Sequence, residues 1–278
     1  MIGAILGDIV GSVFEFNRIK SKEFEFMTDN NYFTDDTVMT IAIGKAILES
    51  KNDFKLLSLN AIKYMQELGK MFPNAGYGYN FMHWLESDHP KPYRSYGNGS
   101  AMRVSPCGIA YDTLEDVKKC AYAVTKVTHN HPEGLKAAEA TAVAVFMAKR
   151  KASKQDIRDE ISKYYNLNTT LDEIRPKYEF SERAKDTIGP AILSFLESDS
   201  FEDAIRNAVS LGGDSDTLAA IVGGVAASYY GVSKDLYEKV DAYLYDDLLI
   251  KYYKEFLKRF SIWFMLFSQV IFLRNFKS

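Results

Sequence analysis

The sequence predicts one all-α domain, and three observations support this fold class. Almost no stretch alternates apolar and polar residues with the period of two that strands require. Residues 38–48 and several later segments instead carry apolar residues at helical spacing. Two segments rich in glycine and alanine, at residues 3–11 and 219–228, predict helices that could pack closely together. Because no internal repeat is present, we expect a single compact multi-helix unit.

The composition is that of an ordinary soluble globular protein, with 47% hydrophobic and 26% charged residues. A net charge of −3 gives no support for binding of a nucleic-acid backbone as the main activity, although a nucleic acid could be a modified substrate. Cys107 and Cys120 lack metal-ligand spacing and are expected to be reduced thiols in the core. We expect a cytoplasmic monomer that does not associate with a membrane.

Neither end of the chain has the pattern of a targeting or membrane-spanning segment. Residues 1–16 are apolar but carry two acids and no basic n-region, so they predict a core helix and not a secretory signal. The apolar run at residues 262–273 is shorter than the ~20 residues of a transmembrane helix. We therefore divide the chain into a domain at residues 1–260 and an apolar tail at residues 261–278. The tail either docks on the core or on a partner chain, or favours aggregation.

The first helix is predicted to carry glycines 3, 7 and 11 as one smooth stripe. Asp8 and Glu15, seven residues apart, would point to the same side of this helix. A carboxylate in this position is either a salt-bridge partner of Arg18 or Lys20, or an active-site acid.

A long ordered loop is predicted at residues 17–33, where the sequence has no periodicity; loops of this length are often functional covers. The loop leads to TDDT at residues 34–37, which precedes the helix at residues 38–48. A further helix is predicted at residues 54–68.

Residues 72–108 are rich in Gly, Pro, Tyr and Asn and are not expected to form a regular helix. They contain SYGNGSAMR at residues 95–103, whose glycine-spaced backbone N–H groups could hold a phosphate or diphosphate. The alternative is a loop that only links helices, with a helix beginning near Ser100. Residues 17–33 and 72–93 are candidate walls of a cleft.

The sequence THNHPEG at residues 128–134 precedes an alanine-rich helix at residues 135–149. His129 and His131 make a poor zinc site, because no third histidine or paired cysteine lies nearby. They either contact a ligand in a pocket or lie on the surface at the helix start. Further along, residues 153–172 predict a polar helix and linker. Helices are also predicted at residues 181–196, 201–211 and 234–259.

The central motif of the chain is GGDSDT at residues 212–217. Its glycines allow a tight turn, and its two carboxylates lie at the first turn of a predicted helix. Together with TDDT it offers about six hard oxygen donors, which suit Mg²⁺, Mn²⁺ or Ca²⁺. The alternative is that both motifs are ordinary helix caps, because Asp and Thr satisfy free N–H groups there. A helix start needs only one such group, so two doubled acids favour a shared cation site.

These motifs occur together, in one order, in a known family. They are GDIVG at residues 7–11 with Glu15, TDDT, GNGSAMR at residues 97–103 with Pro106, TH and HP at residues 128–132, and GGDSDT. On these residues the chain resembles the ADP-ribosylglycohydrolase family, which includes dinitrogenase reductase-activating glycohydrolase and the ADP-ribosyl-acceptor hydrolases. The resemblance spans about residues 3–231 and does not extend to the apolar C-terminal run.

The resemblance implies an all-helical domain with two divalent cations, Mg²⁺ or Mn²⁺, at the bottom of a cleft. The implied metal ligands are Thr34, Asp35, Asp36, Asp214, Asp216 and Thr217, with Asp216 as the bridging ligand. Glu15 would lie beside the metals on a loop that can open and close. The implied substrate-binding residues are Asp35, Ser95, Tyr96, Gly97, Asn98, Gly99, Ser100, Met102, His129 and His131.

The implied reaction is hydrolysis of the C1″ glycosidic bond of ADP-ribose attached to an acceptor, through an oxocarbenium-like state. The acceptor would be a protein side chain such as arginine or serine, or a nucleic-acid base. Glu15, Asp36 or Asp216 would carry the proton. The alternatives are a hydrolase of a free ADP-ribose derivative or other small nucleotide, and a non-catalytic ADP-ribose-binding protein. Four clustered carboxylates argue against the last of these.

Overall fold

Fifteen α-helices make up the part of the chain that the computed structural model describes, residues 1–260. Within that part there is no β-strand, and Gly97 and Arg183 form one isolated bridge. The helices are α1 (Ile2–Gly11), α2 (Asp35–Ser50), α3 (Phe54–Met71), α4 (Tyr79–Glu86), α5 (Gly99–Met102), α6 (Ser105–Ala110), α7 (Leu114–Thr125), α8 (Pro132–Lys149), α9 (Lys154–Ile161), α10 (Leu171–Ile174), α11 (Ala184–Leu196), α12 (Phe201–Val209), α13 (Ser215–Tyr230), α14 (Lys234–Leu244) and α15 (Asp247–Phe260).

The helices α1 and α13 pack against each other at the centre of the fold with almost no side chains between them. A Cβ atom added at Gly7 would lie 1.9 Å from the carbonyl oxygen of Ala219. One added at Gly3 would lie 2.1 Å from the carbonyl oxygen of Gly223. Both distances are far shorter than van der Waals contact, so only glycine permits this approach. The predicted pairing of the two small-residue helices is confirmed.

The remaining helices surround this pair and form one compact all-helical domain, as predicted. Helix α13 is buried along its first three turns, where α8, α11 and α12 pack against it. On the other side, α2 packs between α3 and α15. The first turns of α2 and α13 are also buried, apart from the half-buried Asp35, which places most of their polar residues in the interior.

Two local predictions were wrong. Residues 72–108 do contain regular helix, because α4 has Phe81, Trp84 and Leu85 on one face and buries all three. The short helix α6 also begins in this range. The first helix is shorter than predicted: α1 ends at Gly11, and a 3₁₀ turn covers residues Ser12–Phe14. Helix α7, which Thr113 caps, was not predicted.

Other expectations concern the chain ends and the cysteines. No helix in the described range is long and apolar enough to cross a membrane. The predicted tail at residues 261–278 lies outside the described residues. Cys107 and Cys120 are buried free thiols, as predicted.

The α1–α13 contact leads to a first prediction. Gly7→Ala should lower the free energy of unfolding by about 3 kcal/mol or more, because the added methyl group overlaps the backbone of α13. Urea unfolding monitored by circular dichroism measures this change. Gly189→Ala is the matched control, since it also adds a methyl group inside a helix but meets its nearest atom at 3.7 Å. That variant should be neutral or slightly stabilised. Equal effects of the two substitutions would contradict the packing argument.

Candidate active site

A cleft of about 1560 Å³ opens at the N-terminal ends of α2 and α13. Its floor contains the TDDT and GGDSDT residues. Its walls are the glycine-rich loop that precedes α5, residues 74–81 around the start of α4, and residues 177–186 before α11. The cleft is thus the place where residues distant in sequence come together.

The two acidic segments meet at the floor of this cleft. The hydroxyl of Thr217, in the first turn of α13, donates to Asp36 Oδ2 in the first turn of α2 at 3.2 Å. Asp36, Asp214 and Thr217 are buried. Both segments therefore present oxygen atoms to one volume, as a shared cation site requires.

Glu15 lies close to the two aspartates at the start of α13, the N-cap residue Asp214 and Asp216. One carboxylate oxygen from each of Glu15, Asp214 and Asp216 lies within 4.8 Å of the others. Glu15 follows the 3₁₀ turn after α1 and is half-buried, whereas the two aspartates are buried. The Asn98 amide, from the glycine-rich loop, donates to Asp214 Oδ2 at 2.7 Å and orients that carboxylate.

The carboxyl groups of the floor lie close together and are largely removed from water, which disfavours their charged forms. Removal from water, followed by the charge of Asp216, raises the pKa values of Asp35, Asp36 and Asp214 well above the usual range. The same two causes raise the pKa of Glu15 to about 7. The cluster is thus under electrostatic strain that a bound cation would relieve.

The donor set of the floor fits a hard divalent cation. Asp36 Oδ1 is buried and has no hydrogen-bond partner in the described part of the chain. A buried carboxylate oxygen without a partner is costly unless a cation or a donor binds it. The surrounding ligand atoms are carboxylate and hydroxyl oxygens, the types that Mg²⁺ and Mn²⁺ prefer. The acidic cluster could therefore hold a metal ion.

Asp8 holds the start of α2 in place. Its carboxylate accepts hydrogen bonds from Thr34 N at 2.9 Å, from Thr34 Oγ1 at 2.7 Å and from Thr37 N at 3.0 Å. Of the two alternatives left open for the acids of the first helix, a salt bridge to Arg18 or Lys20 is not the one observed for Asp8, because these side chains donate to backbone carbonyl groups. Asp8 therefore connects the glycine-striped helix to the cap of the helix that carries Asp35 and Asp36.

The glycine-rich loop lines the cleft with six of its predicted residues, Ser95, Tyr96, Gly97, Asn98, Gly99 and Met102. Its backbone pairs with the segment before α11: Asn98 N donates to Glu182 O at 2.8 Å, and Ala184 N donates to Tyr96 O at 3.0 Å. Ser100 is buried under the loop and donates to Gly97 O. It is not among the residues that line the cleft.

The two histidines have different positions. His129 is buried and lines the cleft beside Tyr93, with 6.0 Å between the ring centroids. His131 instead caps α8, where its Nδ1 accepts from Glu133 N at 3.1 Å. Its ring packs against the ring of Tyr96 in the glycine-rich loop, with 5.6 Å between the centroids. Only His129 lies on the cleft wall.

Sequence reasoning missed part of the cleft wall. Residues 177–186, with the rings of Tyr178 and Phe180, form one side of the cleft. The candidate wall at residues 17–33 contributes only Tyr32, whereas residues 72–93 contribute several side chains. Arg103, which closes the loop motif, also lines the cleft and was not assigned a role. Residues 175–180, which precede the predicted helix at residues 181–196 and lack helical periodicity, were an available signal for the missed wall.

Comparison with known proteins identifies the family. Residues 1–260 match the sequence profile of the family described as ADP-ribosylglycohydrolase. The chain belongs to this family. Together with its relatives, this membership makes the protein a glycohydrolase enzyme.

Proteins similar to this chain occur in animals and bacteria. ADP-ribosylhydrolase ARH3 of Mus musculus is 26% identical, and the match covers 84% of this chain and 83% of that protein. ADP-ribosylarginine hydrolase Tri1 of Pseudomonas putida is 24% identical, over 84% of this chain and 70% of that protein. ADP-ribosyl-[dinitrogen reductase] glycohydrolase of Rhodospirillum rubrum is 24% identical, over 83% of this chain and 84% of that protein.

A solved structure supports the fold. It is described as an ADP-ribosylglycohydrolase-related protein complex and superposes with a TM-score of 0.60. The match covers 91% of this chain and 96% of that chain at 23% sequence identity. The two proteins share the all-helical architecture of the family.

The hydrogen bonds of Asp8 lead to a second prediction. Asp8→Ala should lower the free energy of unfolding by about 3 kcal/mol, because three buried donors at the start of α2 lose their acceptor. Asp53→Ala is the matched control, since Asp53 caps α3 on the exposed surface. Its loss should cost about 1 kcal/mol. Thermal unfolding of both variants measures the difference, and an equal cost would show that Asp8 is an ordinary cap.

Proposed function

We propose that this protein removes ADP-ribose from a modified protein side chain by hydrolysing the C1″ glycosidic bond with the help of two divalent cations. The observation that carries the proposal is the meeting of two doubled-acid helix starts with Glu15 on the floor of one cleft. A cap alone explains neither the buried Asp36 oxygen without a partner nor the third acid. Family membership supports the reaction class.

The proposed metal ligands are Thr34, Asp35, Asp36, Asp214, Asp216 and Thr217. Mg²⁺ or Mn²⁺ bound there would fix ribose hydroxyls and polarise the scissile bond or a water molecule. Asp8 holds Thr34, and Asn98 holds Asp214, so both sets of ligands are oriented before a cation binds.

Glu15 is the proposed proton carrier. Asp36 and Asp216 are buried ligand candidates, whereas Glu15 is half-buried at the edge of the same cluster. A carboxyl group in this position reaches both the floor of the cleft and the solvent that must supply and remove protons. Its attachment to a short 3₁₀ turn followed by a loop allows it to shift as substrate enters.

The glycine-rich loop and His129 are proposed to hold the diphosphate and the adjoining ribose. Ser95, Tyr96, Gly97, Asn98, Gly99 and Met102 line this side of the cleft. Ser100 and His131 do not line the cleft, so we propose an indirect role for them. Ser100 donates to Gly97 O, and the His131 ring packs against Tyr96, so both stabilise the loop. The name of one bacterial relative specifies ADP-ribosylarginine, and the name of another specifies ADP-ribosylated dinitrogen reductase. These names support a modified protein as the substrate.

Substitution of a floor carboxylate tests the proposal. Asp216→Asn should reduce the release of ADP-ribose at least about 1000-fold, as expected when a group that acts directly on the reacting atoms is lost. The assay measures released ADP-ribose from arginine-linked, serine-linked and nucleic-acid-linked substrates. Asp199→Asn, an exposed aspartate remote from the cleft, makes the same chemical change and should retain full activity.

The panel of substrates also separates the alternatives. Release from one linkage identifies the acceptor. Turnover of only free ADP-ribose derivatives would point to a small-molecule hydrolase, and binding of ADP-ribose without any turnover would point to a binding protein. Full activity of Asp216→Asn would contradict the assignment of the floor.

A further prediction concerns metal and pH. In the folded, metal-free protein, removal from water and then the charge of Asp216 raise the pKa of Asp8 from 3.8, and that of Glu15 from 4.5, to about 7. The folded state therefore binds more protons than the unfolded chain between these values, and stability should fall as pH rises through this range. A divalent cation removes the repulsion, so its stabilising effect should be larger at about pH 8 than at about pH 5.5. A cation concentration about 100 times the dissociation constant raises the free energy of unfolding by ~2.7 kcal/mol.

Thermal unfolding with Mg²⁺, with Mn²⁺ and with a chelator at both pH values measures this effect. Asp216→Asn should lose most of the stabilisation, and Asp199→Asn should keep it. Stabilisation of both variants to the same degree would place the cation elsewhere.

A further inference from the structure

Within residues 1–260, Arg103 is buried without an ion-pair partner. It is the largest fully buried side chain of that range, with 1% of its surface exposed. Other arginines of the described chain, such as Arg175 and Arg206, form ion pairs with acids. Arg103 has instead a buried Nε without a hydrogen-bond partner, and its guanidinium lies 5.8 Å from the centre of the Phe81 ring. A buried cation without an ion-pair partner is costly, which points to a role for the guanidinium in the contacts that it does make.

The guanidinium of Arg103 contacts the pair Thr128 and His129. Its Nη2 donates to Thr128 Oγ1 at 2.6 Å and lies 3.4 Å from His129 Nδ1. The same threonine oxygen lies 2.8 Å from His129 Nδ1. An arginine only donates hydrogen bonds, so Thr128 Oγ1 accepts from it and keeps its own proton to donate. His129 Nδ1 at 2.8 Å is a closer acceptor for that proton than the Thr125 carbonyl at 3.5 Å.

This arrangement determines which ring nitrogen of His129 carries the proton. Nδ1 faces the threonine hydroxyl and the guanidinium, both of which donate, so Nδ1 must be the accepting nitrogen. The proton of the neutral ring is then on Nε2. Burial, and after it the charge of Arg103, hold the pKa of His129 well below its usual range. Tyr93 also faces the ring, and burial raises its pKa to about 12, so it adds no charge near neutral pH.

The Nε2 edge of His129 lies against the glycine-rich loop. A Cβ atom added at Gly99 would be 3.3 Å from Nε2, and one added at Gly97 would be 3.7 Å from it. The Nε2–H group of His129 therefore lies beside the loop backbone that lines the cleft. A side chain at position 97 or 99 would cover this group. We propose that Arg103 and Thr128 are positioning residues that fix His129 as an Nε2–H donor toward an oxygen acceptor of the ligand. The identity of that ligand as ADP-ribose rests on the proposed function.

The test uses two variants that change different parts of this arrangement. Thr128→Val removes the hydroxyl and keeps the volume, and Thr128→Ser retains the hydroxyl as the matched control. Arg103→Met removes the charge and keeps a long apolar side chain. Nitrogen-15 NMR of the imidazole rings reports the tautomer and the pKa in the protein without ligand. His129→Gln assigns the signals of His129 among the four histidines.

The wild-type protein and Thr128→Ser should carry the proton on Nε2 alone. Thr128→Val should show a mixture of both tautomers, and Arg103→Met should raise the pKa of His129 toward its usual value. Affinity for ADP-ribose, measured by calorimetry, should fall about tenfold in Thr128→Val, as expected for one misdirected hydrogen bond. Thr128→Ser should keep the affinity of the wild-type protein. A merely structural threonine would change stability without changing the tautomer.

A wild-type spectrum with the proton on Nδ1 would overturn the proposal. An unchanged tautomer, pKa and affinity in Thr128→Val would also overturn it. This result decides the question even if Arg103→Met fails to fold. Absence of ADP-ribose binding to the wild-type protein would refute the proposed function instead. The NMR result would still decide the role of the two residues, because it needs no ligand.

Discussion

The close contact between α1 and α13 sets the geometry of the whole cleft. Gly11 lies at the end of α1 against the first residues of α13, where an added Cβ would be 2.4 Å from Ser215 O and 2.6 Å from Asp216 Cα. Glu15 follows only four residues later, so the same contact brings its carboxylate to Asp214 and Asp216. One helix turn earlier, Asp8 holds the start of α2. A single packing interaction therefore aligns three separate acidic segments.

The cleft floor combines features that each destabilise a metal-free protein. Several carboxyl groups lie close together, and their removal from water, followed by the charge of Asp216, raises the pKa values of Asp35, Asp36 and Asp214. Positive helix ends and donors such as Asn98 offset only part of this effect. Such local strain persists where the surrounding structure holds the residues in place, and the glycine contact of α1 and α13 supplies that rigidity. A cation on the floor would connect function and stability directly.

The cleft wall that carries His129 follows another principle. There the buried cation Arg103 forms no ion pair within residues 1–260, and it donates to the neutral Thr128, which contacts His129. The acidic floor and this wall therefore carry charges of opposite sign that form no ion pair with each other. A ligand with an anionic middle part and a polar sugar at one end would complement both of them. This asymmetry agrees with the proposed orientation of ADP-ribose, with its reacting ribose over the acids.

The sequence by itself was sufficient for the fold class, for the pairing of the two small-residue helices and for the motifs of the floor. These features depend on local patterns, such as glycine every four residues or two acids at a helix start, which are visible in a short window. The role of Asp8, the wall at residues 177–186 and the tautomer of His129 depended on the tertiary structure. Each of them arises from groups far apart in the chain, such as Arg103 and Thr128 or Asn98 and Glu182, and no local pattern shows which donor will meet which acceptor.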